Sequence, residues 1–457
     1  MNRLVLVSLM LFAAAAPAAE RWIGTADGSS IEVRLDDRGS ATITRFAPAP
    51  MGFDVLAGRS ATAFRVMERS AREMKAVATI RGADVPLTLL RAADESASTD
   101  ALIGTFRIDG RDMATTWREY GDLRLIDLAA GTSRTLVPLA DGSLVVAGSL
   151  ERIVLPRSTN AFAQRRVSFA SGTTHLAGTL IVPKGTIRAG VVIVHGSGPI
   201  YRTAMFHRAA MFARLGMATL VYDKRGTGQS EGDVTGADVL TLASDAAAAA
   251  AHLRSLLHVP VGFQGHSEAG SVIPHATLTG GAAFAIIVSG GPVSQFAIEE
   301  YQKRNALEAA GFSEETIGTA LAFLRNVLEF VAHGGDRSPL DERYRAAARE
   351  PWFAKLGLPR EPPPPGVVTP SMTKTRINLT TEFPRTAFAS IPLLVLLGAE
   401  DRVVPPHDSE RAWSEVLRQA AHPMSAVVVI PRADHGLKVP AYETIQRQWL
   451  ADLLRSN

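Results

Sequence analysis

The 457-residue chain contains no cysteine. Disulfides, a thiolate nucleophile, cysteine metal ligands and a lipid-modified N-terminal cysteine are therefore all excluded, although the absence does not choose a compartment. Lys and Arg form no run, and the formal charge is only +3 despite a pI near 9.2; nothing marks a nucleic-acid partner. The histidines show no H-x-x-x-H or comparable ligand spacing, so no metal centre is expected. Beyond the first residues there is no long apolar run, and no membrane span is expected there.

What is present begins with Met1-Asn2-Arg3, a short positive start, followed by the apolar run Leu4 to Ala16 and the small residues Ala16-Pro17-Ala18. Residues 1–19 read as a secretory signal peptide, too short to span a bilayer, with an uncleaved anchor as the rival reading. An exported protein is expected, periplasmic if the source is a Gram-negative bacterium, with no stable membrane insertion once the signal is removed. A hydrophobic share of 46% and a charged share of 20% provide ample material for a core. The length predicts two or three structural units.

Residues 20–155 carry short alternating runs, among them Ser30 to Leu35, Ala41 to Thr44, Leu123 to Leu128 and Leu144 to Val146. Asp27-Gly28, Asp109-Gly110 and Asp141-Gly142 punctuate them as turns. Period-two alternation between such turns predicts a β-rich domain of antiparallel strands. The stretch from Thr62 to Arg91 has no clear period and leaves room for a helix. No catalytic constellation falls here. The domain could shape a substrate entrance, mediate association, or serve packing alone.

Pro156 to Arg166 reads as the join to a second domain over 156–457. Val167–Phe169 and His175–Pro183 predict a leading hairpin. Gly190–His195 is a continuous apolar run of the kind buried on both faces of a parallel sheet. Helix and strand then alternate: helix Ala204–Leu215, strand Met217–Tyr222, alanine-rich helix Leu240–Leu257, strand Val259–Phe263, strand Phe284–Val288. That order predicts a doubly wound, mostly parallel α/β sheet. From Ser294 to Ser390 the alternation stops. Ser313 begins a helix there whose Ile317, Leu321, Leu324, Leu328 and Val331 recur at helical spacing, as core against the main domain or as the lining of an acyl pocket. Alternation resumes with strand Pro392–Leu397, a helix from Asp408, strand Ala426–Ile430 and a helix from Ala441.

The stretch around which this second domain is organised is Gly265-His266-Ser267-Glu268-Ala269-Gly270, between an apolar strand and a helix. In that setting a serine can be held on a sharp elbow at the top of a sheet. Around it, in order, stand His195-Gly196-Ser197-Gly198-Pro199, Asp223-Lys224-Arg225-Gly226-Thr227-Gly228-Gln229-Ser230, Gly398-Ala399-Glu400-Asp401 and Asp434-His435-Gly436. In these motifs and their order the chain resembles the α/β-hydrolase superfamily of serine hydrolases, and in particular bacterial exported esterases with a G-H-S-E elbow and an extra N-terminal domain. The resemblance covers about Ala189 to the C-terminus, outside the insertion, which corresponds to the helical cap of that fold. Ala269 departs from G-x-S-x-G, with Gly270 one place later; its methyl group is expected to be tolerated with a slight tilt of the following helix.

The resemblance implies Ser267 as nucleophile, His435 as base and Asp401 as the acid that orients it, with Glu400 as the rival for the last role. The oxyanion donors would be the backbone amides of Glu268 and of Ser197, or else Gly198. Asp223 and Arg225 would brace loops; the G-x-G beside them lacks the Lys-Ser/Thr of a phosphate loop. Asp434 and His266 are expected to be structural, and His175, His207, His252, His258, His275, His333, His407 and His422 to be surface or core residues. No metal or organic cofactor is implied. The expected reaction is hydrolysis of a small-molecule carboxylic ester through an acyl-enzyme. A serine aminopeptidase or thioesterase would use the same machinery, and a non-catalytic binding protein could share the scaffold. A peptidase would need an acidic group for the substrate's amino terminus, for which Glu268, Glu299 and Glu300 are candidates.

Overall fold

A computed structural model describes residues 20–456 apart from 27–28, 37–40, 49–53, 59–63, 81–82, 95–97, 118–122, 365, 421 and 438. The signal-like segment 1–19 and the Asp27-Gly28 turn therefore lie outside the described residues. Two compact units form, the first ending at Asn160 and the second running from Ala161. The segment after Leu155 stays with the first unit because Thr159 N–H donates to the Thr105 carbonyl at 2.7 Å and the two threonine hydroxyls meet at 2.7 Å.

The first unit holds two antiparallel sheets. One has seven strands, in spatial order Asp54–Gly58, Ala41–Pro48, Ser29–Leu35, Glu20–Ala26, Ala83–Arg91, Glu73–Ile80 and Phe64–Arg69. The other has six, in the order Arg152–Ile153, Leu144–Val146, Ser133–Pro138, Leu123–Asp127, Arg111–Trp117 and Gly104–Ile108. Asp109 and Gly110 both take positive φ (48° and 76°), the conformation a two-residue hairpin loop requires. The helix for which Thr62–Arg91 left room is absent from its described residues, which are strands joined at residues 70–72 by a bend. Met74, Ala76 and Ala78 are buried with Leu87 and Leu89 opposite, while Glu73 and Lys75 face outward. Residues 72–78 are good helix formers, and cross-strand packing of one apolar face outweighs that weak preference.

The second unit is built on an eight-stranded sheet: β1 (Phe162–Ser171), β2 (Thr174–Pro183), β3 (Ala189–Val194), β4 (Met217–Tyr222), β5 (Val261–His266), β6 (Ala285–Val288), β7 (Leu393–Gly398) and β8 (Ala426–Ile430). Their spatial order is β1-β2-β4-β3-β5-β6-β7-β8. Only β2 runs antiparallel to its neighbours, β1 and β4; the rest pair in parallel. Strands β3, β4 and β7 are buried along their whole length, which is why they read as unbroken apolar runs. Helices α1 (Phe206–Arg214), α2 (Val239–Leu257) and α3 (Ala269–Gly280) make the crossovers. Asp238 caps α2 by accepting from the amides of Leu240 and Thr241. The alanines of α2 let it lie close: Ala246, Ala249 and Ala250 are fully buried in the sheet's main core.

Between β6 and β7 the cap is inserted: α4 (Gln295–Ala309), α5 (Glu314–His333), α6 (Ser338–Ala347), α7 (Phe353–Leu356) and α8 (Pro370–Thr380). Ser313 caps α5, accepting from Thr316 N–H. The apolar stripe of α5 neither packs on the main domain's core nor lines the active-site cavity. Ile317, Leu324 and Leu328 instead join Leu307, Tyr344, Trp352 and Phe353 in a core of the cap's own. A segment this long can bury its own apolar face, so it has no need of the sheet's. Helices α9 (Pro406–Ala420) and α10 (Pro440–Ser456) complete the unit. Among the described residues no helix is long and apolar enough to cross a membrane.

Candidate active site

Ser267 follows β5 directly and has φ of 61°, a left-handed conformation costly for a residue with a side chain. Neighbouring glycines make the turn possible. A Cβ on Gly265 would lie 2.3 Å from the Ala269 methyl, and one on Gly270 would lie 2.7 Å from the Gly290 Cα. Ala269 is thus accommodated because Gly265 has no side chain, and the second close approach is made by Gly270 against the loop after β6. Ser267 N–H donates to the Val288 carbonyl at 2.9 Å, tying the elbow to that loop. Trp413 of α9, fully buried, donates to the Gly290 carbonyl at 2.8 Å and holds the same loop from behind.

Two distant loops complete the array. His435, on the loop after β8, places Nε2 3.0 Å from Ser267 Oγ and Nδ1 2.8 Å from Asp401 Oδ2. Asp401, past the end of β7, is 3% exposed. Its Oδ1 accepts from the amides of Val403 (2.7 Å) and Val404 (2.9 Å), which leaves Oδ2 for the imidazole. Glu400 is exposed, and among the described residues only its backbone is engaged, donating to the Ala433 carbonyl. Asp434 is also exposed and accepts from Gly436 N–H, a turn contact. The cap reaches this corner too: Tyr301 of α4 donates to the Asp401 carbonyl at 2.7 Å. In such a chain the imidazole can take the serine proton while the carboxylate holds its tautomer and stabilises the cation that forms.

The loop after β3 passes on the other side of Ser267; a Cβ on Gly196 would lie 3.1 Å from the His266 carbonyl. Ser197 lines one cavity with Ser267 and Glu268. Among the described residues neither the Glu268 nor the Ser197 amide donates to a protein acceptor. Asp223 accepts from the amides of Arg202 (2.9 Å) and Gln229 (3.0 Å), and burial raises its pKa. Arg225 forks onto Asp245 at 2.8 and 2.5 Å. These are the bracing roles expected of the Asp-Lys-Arg stretch. The lysine between them was missed: Lys224, 1% exposed, donates to the Gly196 carbonyl at 2.8 Å and to Glu268 Oε2 at 2.7 Å. Its position between two bracing residues was the available signal.

Two histidines support the array without entering it. Burial depresses the His195 pKa to about 3, and its ring Nε2 donates to the Tyr222 carbonyl at 2.6 Å. His266 is likewise lowered to about 3, first by burial and then by Arg208, and donates to the His435 carbonyl at 2.7 Å. A neutral His266 thus fixes the backbone of His435, a structural role, as expected.

A cavity of about 770 Å3 opens on Ser267, between the elbow and the cap. Its lining is polar and of mixed charge, including Glu299, Lys303, Glu382 and Arg385. His275 also lines it, although the sequence suggested a surface or core role. Of the acidic groups considered for an amino terminus, Glu300 is engaged by Arg325 at 2.5 Å. Glu299 accepts from Gln295 at 3.0 Å, and Glu268 lies between Lys224 at 2.7 Å and Lys374 of α8 at 3.8 Å. Among the described residues no group of three or more His, Asp or Glu side chains could hold a metal ion.

The strand order, the single antiparallel β2 and the elbow at the end of β5 define an α/β-hydrolase. The chain belongs to the family described as Serine aminopeptidase, S33 (Hydrolase_4), which matches residues 185–439. Similar solved structures include an esterase from Pyrococcus furiosus, 14% identical over 66% of this chain and 95% of that one, with a TM-score of 0.43. Others are a thermophilic esterase from Thermogutta terrifontis (21%, 63% and 98%, TM-score 0.38) and a thermostable carboxyl esterase from Bacillus coagulans (17%, 64% and 99%, TM-score 0.43). No curated protein matches the chain.

Proposed function

We propose that this hydrolase cleaves small-molecule carboxylic esters through an acyl-enzyme, with Ser267, His435 and Asp401 as its triad. The observation that carries the reading is the hydrogen-bonded chain Ser267–His435–Asp401, with the serine on a strained elbow facing the cavity. Ser267 Oγ attacks the carbonyl carbon as His435 Nε2 takes its proton. The oxyanion is received by the amides of Glu268 and Ser197. Collapse expels the alcohol, which His435 protonates. Water, deprotonated by the same imidazole, then hydrolyses the acyl group and restores Ser267.

Ester is favoured over peptide because the carboxylate that follows the serine in the cavity wall is taken: Lys224 holds Glu268 at 2.7 Å, so it does not await a substrate ammonium. The aminopeptidase reading keeps two supports, the description of the family that matches residues 185–439 and the presence of Glu299 and Glu382 in the cavity wall. Hydrolysis of p-nitrophenyl esters across acyl lengths, beside an aminoacyl p-nitroanilide series, separates the two. Ester turnover lost in Ser267→Ala is the expected result. Turnover of the anilides alone would replace the ester reading, and activity surviving in Ser267→Ala would end the mechanism.

We also propose export, on the strength of the charged start, apolar run and small residues within 1–19. Fusion of that segment to a reporter active only outside the cytoplasm tests it; a silent reporter would refute it.

A further inference from the structure

The buried Lys224 invites a question that bracing does not answer. A lysine at 1% exposure is costly to keep charged, and burial does lower its pKa, with Glu268 opposing the shift. Methionine would fill the space without that cost. The lysine's two contacts suggest why it is there. One is the carbonyl of Gly196, in the loop after β3, at 2.8 Å. The other is the carboxylate of Glu268, the residue after the elbow serine, at 2.7 Å.

Those two backbone segments carry the two amides that receive the oxyanion in the mechanism above. The Gly196 carbonyl belongs to the peptide unit whose N–H is that of Ser197, and in a planar trans peptide that N–H points opposite to the carbonyl. Holding the carbonyl on one side therefore aims the amide on the other. At the second segment, the peptide unit that carries Glu268 N–H is already held at its Ser267 carbonyl by Gly270 N–H at 2.8 Å; the Glu268 side chain, gripped by Lys224, ties that fixed unit to the loop after β3. Loops that carry no regular hydrogen-bond ladder need such a fixture, since an oxyanion hole works by being in place before charge develops.

We propose that Lys224 is a positioning residue for the oxyanion hole: its ammonium, anchored on the Gly196 carbonyl and the Glu268 carboxylate, aims the Ser197 amide and sets its spacing from the Glu268 amide. The inference rests on the acyl-transfer reading of Ser267 but not on its ester preference. Lys374 of α8 stands 3.8 Å from the other Glu268 oxygen, so Glu268 keeps a cationic neighbour when Lys224 is replaced.

The test uses a fluorophosphonate, whose phosphoryl oxygen must enter the same hole as Ser267 is phosphonylated and fluoride leaves. The variants are Lys224→Met, Glu268→Gln and the double substitution. Lys224→Met is expected to lower the limiting inactivation rate about 100-fold, the scale of a small misplacement at a reacting centre, while the concentration for half-maximal rate is unchanged. Glu268→Gln keeps an acceptor for the ammonium and is expected to lose far less. The double variant buries no unpaired charge and guards against misfolding of the single one. It is expected to stay as slow as Lys224→Met, because the Gly196 carbonyl still lacks its donor. Recovery of the wild-type rate in the double variant would reduce Lys224 to a counter-charge and overturn the proposal, as would a wild-type rate in folded Lys224→Met. Because labelling needs no ester turnover, failure of the ester assay and failure of this inference are separate results.

Discussion

Replacing Asp401 by asparagine changes one atom and tests the orientation of the whole relay. Asp401 Oδ1 is committed to two backbone donors, Val403 N–H at 2.7 Å and Val404 N–H at 2.9 Å, and Oδ2 to His435 Nδ1 at 2.8 Å. An asparagine has one acceptor oxygen and one donor NH2. Facing NH2 toward two amide donors would forfeit both backbone bonds at a site that is 3% exposed, at about 1–3 kcal/mol per unsatisfied group. The amide oxygen is therefore expected to stay on Val403 and Val404, leaving NH2 toward His435 Nδ1. The imidazole must then accept at Nδ1 and carry its proton on Nε2, where it points at Ser267 Oγ and cannot act as base. The expected loss in kcat is about 10,000-fold, as for this exchange in a Ser-His-Asp triad, or about 5.5 kcal/mol of barrier. Stability should change little, because every hydrogen bond is retained in the new tautomer. Initial rates on a p-nitrophenyl ester, the fluorophosphonate labelling rate and a melting curve measure all three. Glu400→Gln is the control and should keep wild-type rates, since that side chain is exposed. Asp401→Asn within tenfold of wild type, or a large loss in Glu400→Gln, would refute the reasoning.

Ser267→Ala should abolish ester turnover and fluorophosphonate labelling without lowering the melting temperature, since alanine keeps the Cβ that the left-handed φ must accommodate and loses only the hydroxyl; a labelled Ser267→Ala protein, mapped by peptide mass, would move the nucleophile elsewhere. Gly270→Ala would put a methyl 2.7 Å from backbone at Gly290, and overpacking that only backbone movement can relieve should cost about 1–3 kcal/mol, along with activity; an unchanged melting curve would contradict the packing. Acid should destabilise the fold through His195, whose folded pKa of about 3 lies below the ordinary 6.5. Its stability contribution is complete above pH 6.5 and lost as pH falls toward 3, because only the unfolded chain binds the proton in that window. At pH 5 the loss is about 2 kcal/mol. Denaturant titrations of wild type and His195→Gln at pH 7 and 5 check it, since the glutamine variant should lose less on acidification.

The second unit was legible in the sequence because its signals are local. A strand buried on both faces needs an unbroken apolar run, and β3 and β7 supply one each. An elbow with no room for a Cβ needs glycine, and Gly265 is there. A cap at Ser313 begins α5 whatever that helix packs against. A serine after β5, an acidic residue after β7 and a histidine after β8 were therefore readable in that order. The choice between adjacent Glu400 and Asp401 required the fold, since it turned on which carboxylate the loop after β7 buried against Val403 and Val404. Tertiary structure also made strands of the segment around Met74, where helix-forming residues are held by partners far along the chain, and kept the α5 stripe inside the cap. Above all it joined Lys224 to Gly196 and Glu268, 28 and 44 residues away. A charge that is buried shows no period and sits in no motif of its own; its role exists only once folding brings a carbonyl and a carboxylate within reach of one ammonium.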